Sequence, residues 1–237
     1  MDATSPSMKY VAFCDVLGFS SAVLNSFETA ITVYRQFSDK IRSWPFPSKA
    51  IISVYSDSII VVGEELPSVL HTVQALHWAA LLHDWLIRGG IAYGRYWKET
   101  EGENLFVVSD ALVRAVAIEK SVNIPAVAIS DEINLGIEAW VPRFQHGILG
   151  APLLFFEGRI IVNPFNRYWF ASALIRVKTL INSHIGHKEK YEWFLRLAEA
   201  VSRDDVLVPE SALVRMLELG ILQDNFAVPP PAPPTTD

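Results

Sequence analysis

The chain has 237 residues, of which 51% are hydrophobic, and it carries a net charge of −6 with an isoelectric point near 5.5. This composition supplies the core of one substantial domain and excludes a disordered polypeptide. The acidic balance argues against general nucleic-acid binding, because that function requires a basic surface.

Apolar periodicity predicts a regular succession of strands and helices along the chain. Strands are predicted at residues 10–14, 51–55, 58–62, 88–97 and 126–129, with a hairpin over 153–162. Helices are predicted at residues 22–41, 67–87, 109–119, 171–201 and 210–219. The order β-α-β-β-α-β predicts an α+β sandwich built on a mostly antiparallel sheet.

Cellular location follows from features that the sequence lacks. Cys14 is the single cysteine and lies in an apolar strand pattern, so no internal disulfide forms, as suits a reducing compartment. The N-terminus has no basic-then-apolar signal pattern, and no apolar run reaches the length of a transmembrane helix. The sequence therefore predicts a cytoplasmic protein that does not act at a membrane.

Two aspartates, Asp15 and Asp57, each follow an apolar, β-rich run. Neighbouring strands could hold both carboxylates at one end of a sheet, where hard divalent cations bind and bring nucleotide phosphates with them. Gly18 precedes a long helical pattern whose first backbone N–H groups could hold a phosphate. Simpler interpretations also fit: Asp15 could cap that helix, and Asp57 could be an ordinary turn residue.

Residues 10–129, about half of the chain, contain four motifs in a fixed order. The motifs are Phe13-x-Asp15-Val16-x-Gly18-Phe19-Ser20, Tyr55-Ser56-Asp57, Gly90-Ile91-x-x-Gly94 and Asp110-x-x-x-Arg114. Together they resemble the class III nucleotidyl cyclases, the adenylate and guanylate cyclase superfamily. Asp110 and Arg114 could equally form a plain i,i+4 ion pair on a helix.

The resemblance implies a class III cyclase-like, ferredoxin-like βαββαβ sandwich with a catalytic domain over residues 8–170. A helical extension over residues 171–225 and a flexible proline-rich tail over residues 226–237 are expected to follow. It also implies a homodimer in which the metal aspartates of one protomer meet Arg114 of its partner in two composite sites.

Each site residue has a role that the resemblance implies. Asp15, Asp57 and the Val16 carbonyl hold two Mn²⁺ or Mg²⁺ ions per site. Backbone N–H groups of Leu17, Gly18, Phe19 and Ser20 hold the phosphates. Arg114 stabilises the transition-state charge, and Asp110 stands where the family has an asparagine that contacts the ribose.

Departures from the purine cyclases point to a pyrimidine substrate. Ser53 stands near the position of the lysine that reads a purine base, Glu103 stands near that of its acidic partner, and Tyr55 is bulky enough to shorten the pocket. The late phosphate-binding lysine has no clear counterpart, and Arg143 and Arg159 are the nearest cations.

This pattern resembles the bacterial antiphage pyrimidine cyclases of the Pycsar systems. The resemblance implies conversion of UTP to cyclic UMP, or of CTP to cyclic CMP, as an antiviral signal read by a separate effector. The alternative is a catalytically silent cyclase-like domain that binds nucleotide or a partner protein.

Overall fold

A computed structural model describes residues 5–43, 49–102, 104–183 and 188–222. The predicted base-pocket residue Glu103 and the predicted tail at residues 226–237 lie outside these ranges.

The first half of the chain forms a ferredoxin-like βαββαβ unit, as the sequence predicts. Its strands are β1 (Ser7–Leu17), β2 (Ile51–Tyr55), β3 (Ser58–Gly63) and β4 (Leu86–Glu101). They lie in the order β2-β3-β1-β4, and every neighbouring pair is antiparallel. Helices α1 (Phe19–Asn25), α2 (Phe27–Arg42) and α3 (Leu66–Leu81) make the connections.

The sheet continues beyond β4 with four strands that follow this unit in the chain. β5 (Asn104–Ser109) folds back on β4 as a hairpin, and α4 (Asp110–Ser121) then leads to β6 (Val127–Ile129), which lies parallel to β4. After α5 (Val141–His146), strands β7 (Leu153–Phe156) and β8 (Arg159–Val162) extend the sheet through antiparallel pairs. The α+β class and the mostly antiparallel sheet are therefore confirmed.

Alternation along β1 separates the two faces of the sheet. Ala12, Cys14 and Val16 are buried in the core that includes residues of α2 and α3. Burial raises the pKa of the Cys14 thiol to about 12, so this cysteine stays protonated and chemically inert. On the opposite face Val11 packs with Ala111 of α4. By alternation, Asp15 lies on the face that carries α4.

Three element predictions require correction. The helix predicted at residues 22–41 is two helices, because Ser26 has an extended backbone with φ of −160°. The helix predicted at residues 67–87 ends at Leu81, and residues 86 and 87 belong to β4. The strand predicted at residues 88–97 runs on to Glu101 and pairs with β5, for which no strand was predicted. Short apolar runs fit helix and strand equally well, and tertiary pairing decides between them.

The C-terminal helices are α6 (Phe170–Ser183), α7 (Lys188–Ser202) and α8 (Glu210–Glu218). Residues of α6 and α7 share a second buried cluster with Leu154 and Ile161 of β7 and β8. In the part of the chain that the structure describes, no helix is long and apolar enough to cross a membrane.

Candidate active site

The structure brings Asp57, in the turn between β2 and β3, close to the end of β1 that carries Asp15. Asp15 pairs with Ser58 across the β1–β3 ladder, and the Val16 N–H donates to the Asp57 carbonyl at 2.9 Å. The strands predicted at residues 51–55 and 58–62 form the β2–β3 hairpin that carries Asp57, and a left-handed Ser56 (φ 57°) closes it. Asp15 lies inside β1, whereas Gly18 occupies the N-cap of α1. The capping interpretation of Asp15 is therefore wrong.

Each of these carboxylates uses one oxygen within the protein. Asp15 Oδ2 accepts from Arg88 Nε at 3.0 Å, and Asp57 Oδ2 accepts from the Ser20 hydroxyl at 2.7 Å. Neither Oδ1 has a hydrogen-bond partner among the described residues. These bonds orient the two carboxylates and leave one oxygen of each for a further ligand.

The donor set fits a divalent cation that is held jointly by protein and substrate. No group of three or more His, Cys, Asp or Glu side chains suited to a metal ion occurs in the described ranges. Mg²⁺ is commonly bound through one or two carboxylates, with water and substrate phosphates completing its shell. Asp15 and Asp57 match that requirement, and the Val16 carbonyl stays a predicted further ligand.

Arg88 is a site residue that the sequence analysis missed. It lies directly opposite Asp15 in the β1–β4 register, and its Nε is 2.7 Å from Oε1 of Glu119, whose side chain is only 6% exposed. Arg88 thus carries a positive charge between a buried carboxylate and the predicted metal ligand. A charged residue in the otherwise apolar run 86–92 was the signal that could have identified it.

The predicted phosphate cradle combines strand and helix residues. Gly18 has φ of +90° and open space where a Cβ would lie, so the backbone there is accessible. The first bond of α1 joins the Ala22 N–H to the Gly18 carbonyl, so the Phe19 and Ser20 N–H groups precede the helical ladder. Leu17 ends β1 and pairs with Leu86, so it belongs to the strand rather than to the turn.

Phe19 also has a packing role. Its ring is buried 5.3 Å from that of Tyr34 and 5.5 Å from that of Trp85. The apolar side chain therefore fixes the start of α1, while only the backbone of this residue faces the predicted cradle.

Asp110 and Arg114 form the i,i+4 ion pair, at 3.1 Å. Asp110 also accepts from the Arg95 backbone N–H at 2.7 Å and from Arg95 Nε at 2.9 Å. The bond from the Arg95 side chain is the main cause that lowers the pKa of Asp110, despite the opposing effect of desolvation. Arg114 donates to the Tyr93 carbonyl at 2.8 Å and meets Glu132 at 3.1 Å.

Asp15 and Asp57 form one half of the predicted site, and Arg114 forms the other. The two halves lie far apart within one chain. Arg88 pairs with Asp15 at one end of β4, whereas Tyr93, which binds Arg114, pairs with Tyr10. Five residues of a strand span about 17 Å. A single protomer therefore does not place Arg114 beside Asp15.

The described base-pocket candidates lie on the open face of β2. Ser53 and Tyr55 alternate with Ile52 and Val54, which pack against the core, so their side chains lie on the face that carries α4. Ser53 is half-buried and pairs with Ile60, and Tyr55 is 51% exposed. Tyr55 is therefore accessible to a ligand on that face.

Arg143 and Arg159 are the cations that the sequence offers in place of the family's late lysine. Neither makes a described contact with Asp15. Arg143 is buried and forms an ion pair with Asp204 at 3.0 Å, which assigns it a structural role. Arg159 begins β8 and is exposed.

A cavity of about 660 Å³ is lined by α3 and by loops around residues 133–153. None of the predicted site residues lines it.

Gly90 and Gly94 allow α4 to approach β4 closely. A Cβ on Gly90 would lie 2.6 Å from the Ala115 carbonyl oxygen, whereas one on Gly94 would collide with the ends of the Asp110 and Arg114 side chains.

We expect Gly90→Ala to lower the free energy of unfolding by about 1–3 kcal/mol, because the helix backbone must move. Gly94→Ala should cost less stability, since the flexible guanidinium and carboxylate can move aside. Urea unfolding measures both, and a Gly90→Ala variant as stable as the wild type would contradict the close approach.

Comparison with known proteins finds likeness in structure alone. No family profile and no curated protein sequence matches the chain. The guanylyl cyclase Cya2 aligns with a TM-score of 0.46 at 13% identity, over 70% of this chain and 97% of that one. The adenylyl cyclase CyaB from P. aeruginosa aligns with a TM-score of 0.43 at 14% identity, over 54% and 79% of the two chains. An adenylate/guanylate cyclase/hydrolase from Silicibacter pomeroyi gives 0.43 and 14%, over 67% and 96%. At these scores the likeness carries no functional conclusion by itself.

Proposed function

We propose that this protein is a nucleotide cyclase, which joins the ribose 3′-oxygen of a nucleoside triphosphate to its α-phosphorus and releases pyrophosphate. The observation that carries the proposal is the pair of neighbouring carboxylates, Asp15 and Asp57, each oriented through Oδ2 and each with its Oδ1 unbonded within the described chain. Arg88, which contacts both Asp15 and Glu119, holds the Asp15 carboxylate in place.

Asp15 and Asp57 would hold two Mn²⁺ or Mg²⁺ ions. When bound, such ions lower the pKa of the attacking hydroxyl and neutralise the departing pyrophosphate. The protein's own contribution is orientation: Ser20 fixes the Asp57 carboxylate, Arg88 fixes that of Asp15, and the open backbone at Gly18 admits a phosphate. No histidine is required as general base in this scheme.

The site would be completed by a second copy of the chain. Arg114 bonds to Tyr93, which lies five residues along β4 from Arg88, the partner of Asp15. A two-fold symmetric homodimer would therefore supply Arg114 from the second chain in two composite sites. Exposed apolar side chains on β5 and α4 support such an interface: Phe106 is 49% exposed, Val108 68% and Val113 69%. Apolar surface of this kind marks interaction sites in soluble proteins.

The substrate we propose is UTP, and the product is 3′,5′-cyclic UMP. Ser53 offers a small hydroxyl where a purine-reading lysine would be expected, and the exposed Tyr55 beside it restricts the depth of the pocket. CTP, giving cyclic CMP, is the nearest alternative because both pyrimidines have one ring. In the cell the product would act as a cytoplasmic second messenger of antiviral defence, read by a separate effector.

One observation favours a catalytically silent nucleotide-binding domain as the second candidate. Arg114 is already paired with Asp110 and Glu132, and Asp110 is held by Arg95. An arginine neutralised in this way must exchange a carboxylate for a phosphate oxygen before it can act.

Incubation of the purified protein with each of the four ribonucleoside triphosphates and Mn²⁺ tests the proposal. We expect cyclic UMP to form fastest and pyrophosphate to appear in equal amount, and chromatography with mass spectrometry measures both. A preference for CTP would change only which pyrimidine base we assign to the substrate. A preference for ATP or GTP would contradict the assignment of a pyrimidine substrate. Nucleotide binding without any cyclic product would favour the silent domain.

A further inference from the structure

The cavity of about 660 Å³ beside α3 lies toward the opposite end of β1 from the predicted site. Tyr10, which lines it, pairs with Gly63 in the β1–β3 ladder, whereas Asp15 pairs with Ser58. Five residues of a strand span about 17 Å, so the two places are distinct. Sites for small molecules have volumes of about 300–1,000 Å³. The cavity is therefore large enough for a ligand of its own.

Hydrogen bonds inside the protein fix two walls of this cavity. Asn163 is fully buried, and its side-chain amide donates to the carbonyls of Ile148 and Ala151, both at 2.8 Å. These bonds hold the segment between α5 and β7, which forms one wall. On the α3 wall, Gln74 Nε2 donates to the carbonyl of Asn163 at 2.9 Å and to that of Phe165 at 2.8 Å. Helix and segment are thereby joined, and the cavity is preformed, as ligand sites usually are.

Gln74 and the charged residues of the lining offer hydrogen-bond acceptors. Both N–H groups of the Gln74 amide are used, whereas its Oε1 accepts from no described residue and is open to solvent. The charged residues of the lining are Glu64, Glu65 and Glu138, and no described lysine or arginine lines the cavity. Glu64 and Glu65 pair with lysines, at 2.6 and 3.4 Å, whereas Glu138 forms no ion pair with a described residue. A ligand therefore meets acceptors and one carboxylate without a cation.

Much of the remaining wall is apolar. It includes Leu66, Pro67, Leu70, Ile133, Leu149 and Leu153. An apolar ligand body would remove this surface from water, which is favourable. An anionic ligand would instead face carboxylates, and like charges placed together are costly. A protonated amino group has the complementary charge and carries only donors.

We propose that this cavity binds a small organic amine. Its apolar body would lie against the leucine-rich wall, and its protonated amino group would meet the acceptors, with Glu138 supplying the opposite charge. The three carboxylates exclude a nucleotide as the occupant, so this ligand is not the substrate of the predicted site. The inference is independent of the proposed function, because none of the predicted site residues lines the cavity.

The first test compares two probes on the full chain. Dansylcadaverine has an apolar fluorescent ring system and a primary amine, whereas dansylglycine has the same ring system and a carboxylate. We expect a saturable rise in fluorescence with dansylcadaverine, and at least about tenfold weaker binding of dansylglycine, because only the amine complements the lining. No saturable binding of dansylcadaverine, or equal affinity for the two probes, would overturn the proposal.

The second test places the probe with substitutions in the cavity. Ala139 lines the cavity and is half-buried, so Ala139→Phe should occupy the space and weaken dansylcadaverine binding by at least about tenfold. Glu138 is exposed, so Glu138→Gln keeps the fold and the shape and should weaken binding by about 3–10-fold. Glu199→Gln, at an exposed position of α7, is the matched control and should bind as the wild type does. Thermal unfolding checks each variant, and unchanged affinity in either folded cavity variant would overturn the assignment.

Discussion

Replacing Asp57 by asparagine is expected to lower the rate of cyclisation by on the order of a thousandfold, because the variant keeps the shape of the side chain and loses the charge that a divalent cation requires. The fold should be unaffected, since asparagine suits a hairpin turn as well as aspartate does. Initial rates at saturating UTP and Mn²⁺ measure the effect, and circular dichroism and thermal unfolding check the fold.

Asp39→Asn is the matched control for this variant. Asp39 is an exposed residue of α2, so the same change of charge there should leave the rate unaltered. Manganese binding followed by electron paramagnetic resonance gives a second readout, because Asp57→Asn should weaken it and Asp39→Asn should not. Wild-type turnover in a well-folded Asp57→Asn variant would show that Asp57 is a turn residue and not a metal ligand.

Mixing Asp57→Asn with Arg114→Ala protomers should restore about a quarter of the wild-type activity, although each variant alone is inactive. Random exchange makes half of the dimers mixed, and each mixed dimer contains one intact site of two. The physical reason is distance along β4. Arg88, which pairs with Asp15, lies about 17 Å from Tyr93, whose carbonyl accepts a hydrogen bond from Arg114. Two chains are needed to close that gap.

The control mixture combines Asp15→Asn with Asp57→Asn. Both changes fall in the carboxylate half of the site, so every mixed dimer has two damaged sites and activity should stay absent. Subunit exchange is verified beforehand by differently tagged protomers. Failure of the first mixture after verified exchange would mean that each protomer builds its own site or that Arg114 is only the helix ion pair.

The sequence by itself determined the parts of this protein that depend on local pattern. Apolar periodicity predicted the strands at residues 51–55 and 58–62, which the structure shows as β2 and β3 paired with each other. The order of these elements was enough to predict a mostly antiparallel α+β sheet. Local propensity and period govern these features, and both are readable without contacts.

Only the tertiary structure decided which charges meet. Arg88 contacts Asp15 and Glu119 although they lie 73 and 31 positions away in the sequence, because strand register and helix packing bring them together. The first turn of α7 reaches the same end of the sheet through the bond from Tyr191 to Asp84, which spans 107 positions. The break at Ser26 and the pairing of β5 with β4 were likewise set by packing. A sequence pattern reports which side chains share a face, whereas the register of distant strands follows from burying all of those faces at once.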